Sequence, residues 1–67
     1  MKVTYDPETD TLNFILNDAE IEESDEVKEG VIVDYDKHGK IVSIEVLDAS
    51  KHTKKPLEVS YEIQPMK

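Results

Sequence analysis

Asp48, Ser50 and His52 stand at alternate positions and carry the residue types of a nucleophilic triad. Such a triad needs a hydroxyl beside a base, and a third group to orient that base. Spaced i, i+2, i+4 along one short turn, these side chains do not face one another, so no ordered relay follows. Calcium binding is a second chemistry, suggested by the oxygens of Asp6-Pro7-Glu8-Thr9-Asp10. An EF-hand loop counted from Asp6 needs Gly at its sixth position and Glu at its twelfth, where this chain has Thr11 and Asn17. The segment reads instead as a turn, with Pro7 presetting φ and Asp6 bonding back to the following amides. His38 and His52 are the only histidines, too few for a zinc site and placed as ordinary surface residues. Lys51, Lys54 and Lys55 beside His52 suggest phosphate contact, but no Arg and no interleaved aromatic ring supports it. The residues therefore indicate no catalytic, cofactor-binding or metal site, and no enzyme.

One run remains. Asp18, Glu20, Glu22, Glu23, Asp25, Glu26 and Glu29 give the segment 18–29 seven acids against one Lys. On a strand, Glu20, Glu22 and Glu26 share a face that suits a hard cation, yet no Gly-defined loop sets the geometry. A solvated, charged edge is the simpler reading. The charge of the whole chain is just as uneven. Two Lys stand against twelve acids up to Asp36, a net of −10, and six Lys against four acids from Lys37 onward, a net of +2. The total of −8 repels nucleic acid. An acidic half of this kind fits a basic protein partner, with Asp18, Glu20, Glu22, Glu23, Asp25 and Glu26 as the candidate face. Solubility alone is the plainer alternative.

Sixty-seven residues make one small domain, 1–67. A chain of this size buries only about 60% of the surface it exposes when unfolded. Without Cys it has no disulfide or thiolate metal site to compensate. Packing and self-association remain, so a homodimer is expected. No apolar run approaches the roughly 20 residues of a membrane span, and the first six residues lack a signal-peptide apolar region. A cytoplasmic protein with no membrane contact is the expectation.

The elements follow from an internal echo. Val3, Tyr5 and Asp6 recur thirty residues later as Val33, Tyr35 and Asp36. Leu12, Phe14 and Leu16 are matched by Val42, Ile44 and Val46, and Asp18-Ala19 by Asp48-Ala49. The copies 3–19 and 33–49 each spell strand, turn and returning strand. Alternation predicts strands over 2–5, 11–17, 30–35, 40–47 and 57–63, the last through Leu57, Val59, Tyr61 and Ile63. In the first hairpin Tyr5 should face Leu12, and Val3 should face Phe14. In the second, a loop of 36–39 sets Val33 opposite Val42 and Val31 opposite Ile44. The acidic segment is either disordered or a short edge strand over 22–27, and the strand is preferred. Residues 48–55 leave the sheet, with Asp48 or Ser50 able to cap a short helical turn. Pro56 ends that turn, and 64–67 form a frayed tail.

The run Gly30-Val31-Ile32-Val33-Asp34-Tyr35-Asp36, then Gly39, then Ile44-Glu45-Val46-Leu47-Asp48-Ala49-Ser50, resembles the DUF2283 family. The opening Val3-Thr4-Tyr5-Asp6-Pro7-Glu8-Thr9-Asp10 is similar to that family's start. These are small bacterial and archaeal proteins of unknown function, and members usually carry Gly where Ser43 stands here. The resemblance implies a small β-rich fold and no established activity, with an antitoxin-like partnership ascribed to some members. It carries over no catalytic residue.

The expected molecule is all-β, or β-rich with one short helical turn: an antiparallel sheet of two tandem β-hairpins plus a C-terminal strand. Its sheet is open, curled into a barrel, or paired across a dimer, with Tyr5, Phe14, Tyr35 and Tyr61 as candidate oligomer contacts. Its expected function is that of a non-enzymatic, self-associating interaction module that takes a basic protein partner. The alternative is a small-ligand or divalent-cation-binding protein using the 18–29 segment.

Overall fold

Alternation becomes strand at four places, all in the two repeats, and a fifth strand forms in the acidic segment. The structure, a computed structural model, describes residues 1–65; Met66 and Lys67, within the expected tail, lie outside the described residues. The strands are β1 (Lys2–Asp6), β2 (Thr11–Ile15), β3 (Glu23–Lys28), β4 (Val31–Tyr35) and β5 (Ile41–Val46). A 3-10 turn, η1 (Ala49–Lys51), follows. All five strands are antiparallel in one open sheet of order β1-β2-β5-β4-β3. The all-β class with one short helical turn is the observed one.

The β1–β2 hairpin has the expected register: Val3 pairs with Phe14, Tyr5 with Leu12 and Asp6 with Thr11. Asp6 Oδ1 accepts the Glu8 N–H at 2.9 Å, closing the turn by a side-chain bond two residues ahead. The second hairpin repeats this device, since Asp36 Oδ1 accepts the His38 N–H at 2.8 Å and the Lys40 N–H at 3.0 Å. These amides, Lys40 foremost, hold the Asp36 carboxyl below its ordinary pKa against a smaller opposing effect of burial. Its pairing, however, corrects the expected register. Val33 faces Ile44, not Val42, and Val31 faces Val46, not Ile44. The ladder shifts between Asp34 and Tyr35, which pair with Ser43 and Ile41, so Val42 is an extra residue in β5. A bulge of this kind lets a longer loop close without turning the apolar face outward.

The observed register is the one the repeat itself demands. Val3–Phe14 moved on by thirty residues is Val33–Ile44, and both pairs exist. Phe14 and Ile44, which are repeat mates, are also each other's partners across β2–β5. The two hairpins are thus related by a local twofold axis through that pair. β3 lies outside the repeat and pairs only with β4, as an exposed edge strand over the acidic segment.

The C-terminal strand expected over 57–63 is not formed. Residues 57–65 have no strand pairing, and Glu58 N–H donates instead to Lys55 C=O at 3.0 Å. Alternation fixes which side chains share a face, but a strand also needs a neighbouring edge within hydrogen-bond reach. Among the described residues, the buried apolar side chains are Val33, Val42 and Ala49. Among these residues no large side chain is completely buried, as expected where one sheet face is not closed.

Candidate functional site

Register and alternation place Val3, Tyr5, Leu12, Phe14, Val33 and Ile44 on one side of the sheet. Of the four candidate contact aromatics, Tyr5, Phe14 and Tyr35 are half-buried and Tyr61 is 75% exposed. Tyr61 joins Val3 and Phe14 around an open groove of about 500 Å³. Tyr5 lines a second groove of about 210 Å³ with Leu12 and Leu57. Tyr35 stands apart, between Glu23 of β3 and Ile41 of β5.

The acidic candidates Asp18, Glu20, Glu22, Glu23, Asp25 and Glu26 are all exposed. The structure does not gather them. Glu23 and Asp25 point to one face of β3, and Ser24 and Glu26 to the other. Among the described residues no group of three His, Cys, Asp or Glu side chains is placed to hold a metal ion. The single ion pair among the described residues is Lys55–Glu58 at 3.5 Å; Lys28 in β3, and Lys37 in an open cleft with Glu20 and Glu22, lie near the acidic edge without closing an ion pair on it.

The opposite face carries a cluster that sequence reading misses. Ser24, Asp34 and Ser43 form a row across β3, β4 and β5. Ser24 Oγ donates to Asp34 Oδ1 at 2.5 Å and Ser43 Oγ donates to Asp34 Oδ2 at 2.6 Å. Asp34 is 2% exposed and Ser43 4%. Burial pushes the Asp34 carboxyl up, but donors from Ser24, Ser43 and Glu45 together outweigh it and leave the pKa lowered. Glu45 is pushed up, first by its hydrogen bond to Asp34, then by burial and by the Asp34 charge. The pair therefore shares a proton more readily than two separate carboxylates do. Asn13, opposite Glu45, has a buried Oδ1 without a hydrogen-bond partner. Alternation marks Asp34 and Ser43 as outward and hence solvated. The available signal was Ile15 and Ile32 on that same outward face, beside Ser43 and Glu45.

A second cluster joins residues far apart in sequence. Asp10 accepts Tyr5 Oη at 2.8 Å, Ser50 N–H at 3.1 Å and Ser50 Oγ at 2.6 Å. Asp10 C=O accepts the Ala49 N–H at 2.9 Å. These bonds, led by the Ser50 hydroxyl, lower the Asp10 pKa, and the same contact raises that of Tyr5. Ser50 is committed to Asp10, while His52 donates its backbone N–H to Ala49 C=O within the turn. What the cluster does is tie η1 to the end of the first hairpin.

A family model described as a protein of unknown function, DUF2283, matches residues 2–50. No curated protein and no solved structure matches the chain. No helix among the described residues is long and apolar enough to cross a membrane.

Proposed function

This chain belongs to the DUF2283 family, and from that premise we propose that it works as a non-enzymatic interaction module that self-associates through its apolar sheet face. One observation carries the reading: the sheet is a single layer whose own chain leaves it without a closed core. Val33, Val42 and Ala49 are its buried apolar residues, while Leu57, Tyr61 and Ile63 are more than 70% exposed. Exposed apolar surface on this scale marks association in a small protein. Sedimentation velocity is expected to give a dimer at micromolar concentration. A strict monomer at high micromolar concentration would refute it.

The acidic edge supplies the second half of the function. β3 is an exposed edge strand with free backbone groups on its outer side, and among the described residues none of its carboxylates is held in an ion pair. A basic protein segment suits it through strand addition steered by charge. Antitoxin-like binding of a small basic protein is one form such recognition takes. Titration with a lysine-rich peptide should show binding that weakens as salt rises. Equal binding of a neutral peptide would refute the charge-based reading. Cation binding by 18–29 has less support, because among the described residues no three carboxylate or histidine side chains converge; calorimetric heats with calcium, magnesium or manganese below millimolar concentration would reinstate it.

A further inference from the structure

Residues 57–63 combine the pattern of a strand with the exposure of a loop. Leu57 is 81% exposed, Val59 58% and Ile63 82%. In an extended backbone these residues and Tyr61 fall on one side, with Glu58, Ser60 and Glu62 on the other. The arm runs antiparallel to β1. Pro56 and Leu57 lie toward Tyr5 and Leu12, whereas Ser60 and Tyr61 lie toward Met1 and Phe14. Grooves of about 500 and 210 Å³ stay open between arm and sheet. Among the described residues, the one backbone hydrogen bond of 56–65 runs from Glu58 N–H to Lys55 C=O, inside the arm's own turn. A strand-patterned arm thus rests beside an apolar face without packing onto it.

We propose, building on the self-association above, that a second copy of this chain covers this face by exchange, each copy's arm 56–63 leaving its own sheet to lie along β1 and over Val3 and Phe14 of the other. Shape and number favour this occupant. Each copy offers one apolar arm and the apolar β1–β2 face that the arm leaves, so a twofold exchange satisfies both and closes at two. Backbone chemistry agrees, since β1 pairs only with β2 and its outer edge keeps free N–H and C=O groups for an antiparallel arm.

Charge selects the side. Each copy carries −8, and the acidic segment 18–29 runs into β3, the edge farthest from β1 in the sheet. Lys2, Lys51, Lys54 and Lys55 lie instead in β1 and in the segment leading to the arm. Joining two copies through β1 keeps the acidic edges at opposite ends, while joining them through β3 would bring like charges together. The β3 edge then stays open for another partner.

Sedimentation equilibrium on the full chain tests this with Val59→Glu and Tyr61→Glu, and with Val27→Glu on the far edge as control. Each arm variant should weaken dimerisation by about tenfold or more, the scale of one buried apolar side chain. Val27→Glu should leave it unchanged. Circular dichroism should keep the signal of the five-stranded sheet throughout and lose at most the strand that the exchanged arm adds. The chain has no Cys, so single-cysteine chains report proximity cleanly. Mixed Lys2→Cys and Ser60→Cys chains should form the mixed disulfide in preference to either homodisulfide. A monomeric unmodified chain would remove both this inference and the self-association it rests on. Dimerisation that survives both arm variants, or disulfides formed without preference for the mixed pair, overturns the arm exchange alone.

Discussion

Asp34 shows how a single carboxylate is held on a face that the sequence marks as solvated. Both its oxygens accept serine hydroxyls, and Ser43 has almost no access to water that would replace the bond. Replacing Asp34 with Ala is expected to cost about 1–3 kcal/mol in urea denaturation, because Ser24 and Ser43 lose their acceptor. Asp34→Asn, which keeps one acceptor oxygen, should cost less. The neighbouring Glu45 acts with the opposite sign. Asp34 has a lowered pKa, so its contribution is full above its unfolded value and is lost as pH falls through the folded one. Glu45 has a raised pKa, so its contribution is present below its ordinary value and is lost as pH rises through the folded one. At neutral pH the Glu45 carboxylate therefore opposes folding. Glu45→Gln should raise the melting temperature at neutral pH, by less than about 1 kcal/mol equivalent given solvent screening. That gain should vanish in acid, where Glu45 is protonated in either state; a gain independent of pH would contradict the shared-proton account.

At the scale of elements, each hairpin is closed by an Asp at the same place in the repeat, Asp6 or Asp36, bonding an amide two residues on. The first hairpin is then held to η1 through Asp10, Tyr5 and Ser50. Removing the Ser50 hydroxyl should return the Asp10 carboxyl toward its ordinary pKa in an NMR titration, and speed exchange of the Ala49 and Ser50 amides. An unmoved Asp10 titration would show that the hydroxyl is not what lowers it. The stabilisation from Asp10 is present above its unfolded pKa and is lost as pH falls through the lowered folded value. The register of the second hairpin shows where local reading stops. A loop length counted from turn residues misplaced Val33 by two positions. The repeat contained the answer, because Val3–Phe14 displaced by thirty residues predicts Val33–Ile44. The bulge at Val42 reconciles the longer loop with that pairing, and no turn residue announces it.

For the whole molecule, charge and apolar surface are in competition. Two copies of net charge −8 repel, so association driven by apolar burial should tighten with salt. Sedimentation from about 0.02 to about 0.3 M salt, over which the screening length shrinks several-fold, should show the dimer strengthening. Binding of a lysine-rich peptide to β3 should weaken over the same range. Opposite salt slopes for the two events would separate the apolar contact from the acidic edge; parallel slopes would mean that one surface serves both.

Sequence alone determined the duplicated hairpins, the strands of both copies and the turn at each tip, and it favoured an edge strand over disorder in the acidic segment. Each is encoded locally, by side chains alternating every second residue and by Asp, Pro and Gly where the chain must reverse. Tertiary structure alone decided how Asp34 and Glu45 share a face with the buried Ser43, how Asp10 meets Ser50, and that 57–63 forms no strand. Those outcomes depend on which strands become neighbours in the order β1-β2-β5-β4-β3. Contacts between residues far apart in sequence, and access to a free backbone edge, are properties of the assembled sheet, which alternation along a single strand does not encode.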